Sequence, residues 1–278
     1  MCRYLNLFNL RISSYNLIGF FAFIVLLLFN FHQIKTAGTL GIYSQIVLEK
    51  KHRSSKLKFL CTAAETWIMT SFMYDFPVKI IMYCWGDPFY SFTGGTSAVV
   101  YFCWIVLAFP LFFAGAFLTG VKPFQRFDLL TPVYPLTLIY AKLACFCGGC
   151  CNGIETADGF YNEYTNLREF PVQLVESAEA LVIFLIMMKI RKKAKSGTMF
   201  PLYLVFYSGM RFFSEFLRAQ PDVLGPLKCA QIFCIAAIVL GFAGFVLAEK
   251  YAAQIDGAFF EICLKTKDFI CRKIRMIK

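Results

Sequence analysis

Long apolar runs, cut at intervals by short clusters of lysine and arginine, dominate this sequence and leave few folds open to it. The runs fall near residues 14–33, 59–84, 94–118, 128–151, 171–189, 199–218 and 225–248. Each approaches or exceeds the roughly 20 helical residues that cross about 30 Å of hydrocarbon. A segment in lipid must satisfy its own backbone polar groups, so runs of this length predict helices. Only 16% of the residues are charged, against about 25% in soluble domains. The sequence therefore predicts an all-α, polytopic membrane protein with about seven transmembrane helices. The first run follows Arg3 and Arg11 as a signal peptide would, but lacks a small-x-small cleavage site and reads as a retained span. The second is interrupted by Glu65, Asp75, Pro77 and Lys79, which are tolerated at membrane depth only against protein or water.

Orientation follows from the basic residues. With the first loop inside, segments 35–58, 120–126, 189–195 and 249–278 hold 20 of the 28 Lys and Arg, and the outer segments hold 5. Short cytoplasmic loops carry such an excess. The expected topology has the N-terminus outside and the C-terminus in the cytoplasm. The net charge of +11 is thereby assigned to the inner membrane surface, and no nucleic-acid partner is expected, because the charge does not gather on one face. Residues 1–250 form the expected membrane unit. Residues 251–278 alternate Ile and Phe with Lys and Arg, which fits either an amphipathic helix along the cytoplasmic surface or a solvated basic tail.

Ionisable groups within spans are costly and mark function. Arg211, Glu215 and Arg218 stand four and three residues apart near the outer end of the sixth run, so one helix face carries all three. Arg211 and Glu215 can pair there, and a guanidinium offers phosphate a planar, two-pronged contact. Lys142 lies in the fourth run at a similar depth, as the second half of an anion site would. Gln173 and Glu176 share a face at the outer start of the fifth run and are candidates for hydrogen bonding a polar head group. Gly94 and Gly95 precede the third run, where backbone amides can hold an anion. Cys145, Cys147, Cys150 and Cys151 crowd one segment. Packing as small hydrophobes is the favoured reading, with zinc binding or exchange through the C-x-x-C pair Cys147 and Cys150 as alternatives. The sequence assigns no metal ion and no cofactor.

Taken in order, these pieces resemble prolipoprotein diacylglyceryl transferases over roughly residues 12–248. They are S-Y-N-L-I-G-F with Tyr15 and Asn16, F-T-G-G, and F-D-L-L-T-P-V-Y-P-L with Asp128. K-L-A-C-F-C-G-G-C-C-N-G follows, ending at Gly153, then F-P-V-Q-L-V-E-S, R-F-F-S-E-F-L-R, and Gln231 opening the last run. The resemblance implies a multi-pass enzyme of the bacterial cytoplasmic membrane. Such an enzyme moves diacylglyceryl from phosphatidylglycerol to the lipobox cysteine thiol of exported preprolipoproteins. It implies Arg211, Lys142 and Glu215 as catalytic groups. Tyr15, Asn16, Thr93, Gly94, Gly95, Cys145, Gly153, Gln173, Glu176 and Arg218 become substrate-binding groups. The chain departs from the family pattern at Lys142, where arginine is usual, and at Thr93, where many members have histidine. Cys145 and Cys150 replace asparagine and glutamate. Two other classes compete with the enzyme: a catalytically altered, lipid-binding relative, and a membrane thiol oxidoreductase built on the cysteines.

Overall fold

The computed structural model describes residues 4–7, 10–36, 122–163, 165–220, 222–259, 261, 262 and 265. The expected spans at 59–84 and 94–118, with Thr93, Gly94 and Gly95, lie outside the described residues, as do the side chains of Tyr15 and Asn16. A short hairpin, β1 (Tyr4–Leu7) and β2 (Leu10–Ser13), leads into α1 (Ser14–Thr36).

The run expected at 128–151 is two helices, α2 (Pro123–Leu130) and α3 (Val133–Gly148), divided at Thr131 and Pro132. Proline dictates this. Pro123 starts α2 at a position whose N–H has no intrahelical partner, and Pro135 falls in the first turn of α3 for the same reason. Gly149 ends α3 in the left-handed region, at φ 71°, and the N–H groups of Gly149 and Cys150 return to the carbonyls of Phe146 and Cys145.

The chain then forms a hairpin, β3 (Glu155–Asn162) with β4 (Leu167–Glu169), before α4 (Val172–Ile190). Helix α5 (Met199–Ser214) continues as a 3-10 turn over Glu215–Leu217. A third small hairpin, β5 (Asp222–Leu224) and β6 (Leu227–Lys228), precedes α6 (Cys229–Leu247). A π-helical turn at Ala248–Ala252 carries the helix on through residues 253–259. The all-α expectation thus describes the layers but omits three hairpins. Hairpins this short, with polar and aromatic residues mixed, carry no hydrophobic period to read.

Neighbouring helices pack in the order α1, α3, α4, α5, α6. A column of rings from α2, α3 and α5 fills the centre: Phe127 lies 4.7 Å from Phe200, Tyr134 stacks on Tyr203 at 5.5 Å, and Tyr203 on Tyr207 at 5.9 Å. Small residues bring α5 and α6 close. A Cβ on Gly241 would stand 2.7 Å from Val205, and one on Gly244 would meet Pro201. Away from α5, α6 exposes Val239, Leu240, Phe242, Val246 and Leu247. Among the described residues, the stretches Pro123–Gly148 and Cys229–Phe259 are long and apolar enough to cross a membrane.

The two ends of the bundle differ. At one end Arg191 donates to the Gln33 side chain. Asp128 accepts from the N–H groups of Gly197 and Met199, so it caps α5 from α2. Asp256 in turn takes the Phe124 N–H at 2.9 Å and the Ser196 hydroxyl at 2.5 Å, pinning the helix beyond α6 to the start of α2. All three hairpins lie at the other end, which also holds the buried ion pairs around Glu176.

Candidate active site

Three helices deliver the charges. Lys142 is in the penultimate turn of α3, Glu176 one turn into α4, and Arg211 in the last turn of α5. Glu176 is the hub. Its Oε2 lies 2.7 Å from Lys142 Nζ, and its Oε1 accepts from Arg211 Nη1 at 2.7 Å and Arg218 Nη1 at 3.0 Å. Arg211 also turns its other Nη toward Glu215, four residues on. The Glu176 and Arg211 side chains are each only 3% exposed. Charges this deep are sustainable only because each meets an opposite partner.

The expected shared helix face of Arg211, Glu215 and Arg218 is only partly helical. The α-helix stops at Ser214, and Arg218 is already extended. Its position is set instead by backbone pairing. Arg218 bridges Gly153 in antiparallel fashion, the Ile154 N–H donates to Leu217 O at 3.0 Å, and the Ala219 N–H to Asn152 O at 3.2 Å. Only glycine fits at 153, because a Cβ there would stand 2.1 Å from the Phe170 carbonyl oxygen.

Gln173 faces this region but is spoken for on one side, since its amide donates to the Cys150 carbonyl at 2.7 Å. It fixes the loop after α3. Cys145 is buried at the foot of that loop. The hairpin is anchored in the same place, with buried Asn162 donating to Gly149 O at 3.1 Å and to Glu169 Oε2 at 3.0 Å.

One participant escaped the sequence reading. Lys228, one of the five basic residues of the expected outer segments, is buried, and its Nζ donates to the carbonyls of Glu215 at 2.9 Å and Arg218 at 2.5 Å. The turn before α6 is fixed by Gln231, whose side-chain oxygen accepts from the Lys228 N–H at 2.9 Å. A narrow cleft reaches the cluster between α3, α4 and α5, lined by Lys142, Glu176, Glu179, Tyr207, Met210 and Arg211 among others. Lys142, Arg211 and Arg218 oppose Glu176 and Glu215, so three cations meet two carboxylates, with Lys228 beside them and half-buried Glu179 in the cleft wall. An arrangement of forked guanidiniums in excess suits an oxyanion, phosphate above all.

The sequence model of the family described as prolipoprotein diacylglyceryl transferase matches residues 3–247. Among curated proteins, the phosphatidylglycerol–prolipoprotein diacylglyceryl transferase of Clostridium tetani is 30% identical over 130 residues, which is 44% of this chain and 52% of that protein. The enzyme of the same name from Chlorobaculum tepidum is 34% identical over 139 residues, 46% and 48% of the two chains. That from Clostridium novyi is 41% identical over 85 residues, 30% of each. The chain thus spans about half or less of the length of these three relatives.

Proposed function

The chain belongs to the prolipoprotein diacylglyceryl transferase family, and on that premise we propose that it moves a diacylglyceryl group from phosphatidylglycerol to the lipobox cysteine thiol of an exported preprolipoprotein. The observation that carries the reading is the convergence of Lys142, Arg211 and Arg218 on one buried carboxylate, at the hairpin end of the bundle. In this transfer a thiolate attacks the glycerol carbon that bears the phosphate ester. A C–S bond forms, the C–O bond breaks, and its electron pair leaves on glycerol phosphate. Charge grows on the phosphate as the bond breaks, and fixed cations in a water-poor site stabilise growing charge far better than water does. Arg211 holds the phosphate, Lys142 adds a point charge, and Glu215 orients Arg211. The positions of Tyr15, Asn16, Thr93, Gly94, Gly95, Cys145, Gly153, Gln173 and Glu176 belong to the walls that seat lipid and lipobox.

The placement in the membrane belongs to the same proposal: seven spans in a bacterial cytoplasmic membrane, N-terminus outside, with a membrane unit through about residue 250 and a basic cytoplasmic tail over 251–278. Its support is the alternation of the described helices. Gln33 near the end of α1 and Phe124 at the start of α2 both sit at the end opposite the cations. Both flanks of the intervening segment therefore lie at one end, as an even number of crossings, two in the expected topology, requires. Among the described residues, Lys122, Lys189, Lys192, Lys193 and Lys195 flank α2 and α4 at that same end.

The test is complementation. In cells depleted of their own transferase, this chain restores labelling of a reporter lipoprotein by radioactive phosphatidylglycerol, and Arg211→Ala does not. Good membrane expression without a labelled product removes the proposal. The lysine at 142 favours one second reading, a lipid-binding relative with weakened chemistry, because an ammonium lacks the two-pronged fit of arginine. Phosphatidylglycerol binding without transfer would establish it.

A further inference from the structure

We infer that Cys145, Cys150 and Cys151 form a three-thiolate zinc site, and that its fourth position takes the thiol to be alkylated. The fourth-ligand assignment rests on the transferase reading; the metal site does not.

The geometry begins with the backbone. Gly149 and Cys151 both have left-handed φ values, 71° and 62°. For cysteine that conformation is unfavourable. The two turns fold the segment back on the end of α3, so that three sulfur atoms lie within 4.8 Å of one another. Cys151 Sγ stands 3.8 Å from Cys145 Sγ. Thiolates bound at about 2.3 Å on the corners of a zinc tetrahedron are about 3.8 Å apart. That pair is therefore already at a ligand spacing, with the Cys150 sulfur within 4.8 Å of both. Cys147, the other cysteine of the segment, is not among them.

Packing alone does not account for the group. A cysteine acting as a small hydrophobe is buried, and Cys145 is; Cys150 is exposed and Cys151 only half-buried. The loop is also held in place by polar contacts. Gln173 fixes the Cys150 carbonyl at 2.7 Å, and the Cys151 thiol donates to Cys145 Sγ at 3.8 Å. Charges also complement: three thiolates on a divalent ion leave one negative charge, beside a cluster in which cations outnumber carboxylates.

The site answers a need of the chemistry. Glu176 and Glu215 are both engaged by cations, so neither stands ready to take the proton of an attacking thiol, which leaves Glu179 in the cleft wall and the cysteine loop as the places for it. Zinc with three protein ligands keeps a fourth position open, and a thiol that coordinates there loses its proton outright. The proton passes to water at the exposed side of the loop. The bound thiolate then attacks the phosphate-bearing carbon, and the C–O electron pair departs with the phosphate. The product sulfur is a neutral thioether, a poorer ligand, and it leaves the metal. Nothing is oxidised or reduced.

The full chain, purified in detergent under reducing conditions from zinc-supplemented cells, tests this directly. About one zinc per chain is expected by elemental analysis. Cys145→Ser, Cys150→Ser and Cys151→Ser should each lower occupancy by about tenfold or more, whereas Cys147→Ser leaves it unchanged; unaltered thermal unfolding shows which variants are folded. Cobalt exchanged for zinc should give the visible spectrum of a tetrahedral, sulfur-rich site. A lipobox peptide should shift it, and the same peptide with serine for cysteine should not. A folded wild-type chain without zinc, zinc indifferent to the three substitutions, a Cys145–Cys151 disulfide in its place, or a cobalt spectrum unmoved by the cysteine peptide would each overturn the inference. Full lipid transfer by zinc-free protein would overturn it while leaving the transferase intact. A zinc-loaded chain that binds the peptide but never transfers lipid would remove the transferase and keep the metal site.

Discussion

Lys142 and Arg211, from helices that are not sequence neighbours, meet on opposite oxygens of a single carboxylate, each at 2.7 Å. On the proposed reading, that carboxylate, Glu176, holds the place between cations that a phosphate oxygen would otherwise fill. An incoming phosphate need not assemble the cations. It has to share them with Glu176.

Glu176→Gln follows from this relationship. The amide keeps the shape but leaves three buried cations with only Glu215 to oppose them. Removing one member of a buried ion cluster typically destabilises by about 3–5 kcal/mol. Thermal unfolding in detergent should show a loss of this order. The double variant Lys142→Gln, Glu176→Gln should lose less than the two single variants together, because Lys142→Gln removes a charge that Glu176→Gln leaves without its carboxylate. Additive losses would mean the pair is not coupled.

Lys142→Arg tests the point charge against the fork. A guanidinium at 142 can hold two phosphate oxygens at once. We expect transfer of labelled diacylglyceryl, measured in a single turnover, to rise by about tenfold, the effect of one added charge-assisted bond of roughly 1.4 kcal/mol. Arg211→Ala should fall by about a hundredfold or more, as when a preorganised donor to a developing oxyanion is removed. If Lys142→Arg leaves the rate unchanged while Arg211→Ala also has no effect on lipid binding, the cations do not face the phosphate.

The sequence displayed the layers and the charges more fully than the connections between them. Apolar length alone located α1, α4, α5 and α6 to within a few residues, because helices in lipid have no other way to satisfy their backbones. Arg211 and Glu215 were readable as a pair from their spacing of four. The centrality of Glu176 was not, since contact between α3, α4 and α5 depends on how the helices rotate and tilt, which one sequence does not encode locally. Arg218 was found for a partly different reason than the true one: strand pairing with Gly153, rather than a helix face, sets its position. Lys228 was hidden because a buried lysine capping carbonyls and an exposed loop lysine look identical in the chain.

Gly153→Ala probes that pairing. Its Cβ would lie 2.1 Å from the Phe170 oxygen, a backbone atom that cannot rotate away. Overpacking of this kind destabilises by about 1–3 kcal/mol, and here the strain falls on the bridge that places Arg218. Lower thermal stability should therefore accompany a loss of transfer. Gly209→Ala is the contrast, because a Cβ there meets nothing within 4 Å. In the middle of α5 it should be neutral or stabilising by up to about 1 kcal/mol. Equal effects at 153 and 209 would argue against a steric cause.

The opposite end of the bundle separates stability from chemistry. Asp128 receives the N–H groups of Gly197 and Met199, and it joins α2 to the start of α5 far from the cations. Asp128→Ala orphans two buried donors, each unfavourable by about 1–3 kcal/mol when left unmade. Asp128→Asn keeps one oxygen acceptor and should recover part of the loss. Both variants should unfold at lower temperature in detergent, alanine lower than asparagine. The transfer rate of the folded fraction should stay near wild type at a permissive temperature, because no atom of Asp128 reaches the cluster around Glu176. A rate that falls in step with Arg211→Ala would place this cap within the chemistry and contradict the division of the bundle into a reacting end and a holding end.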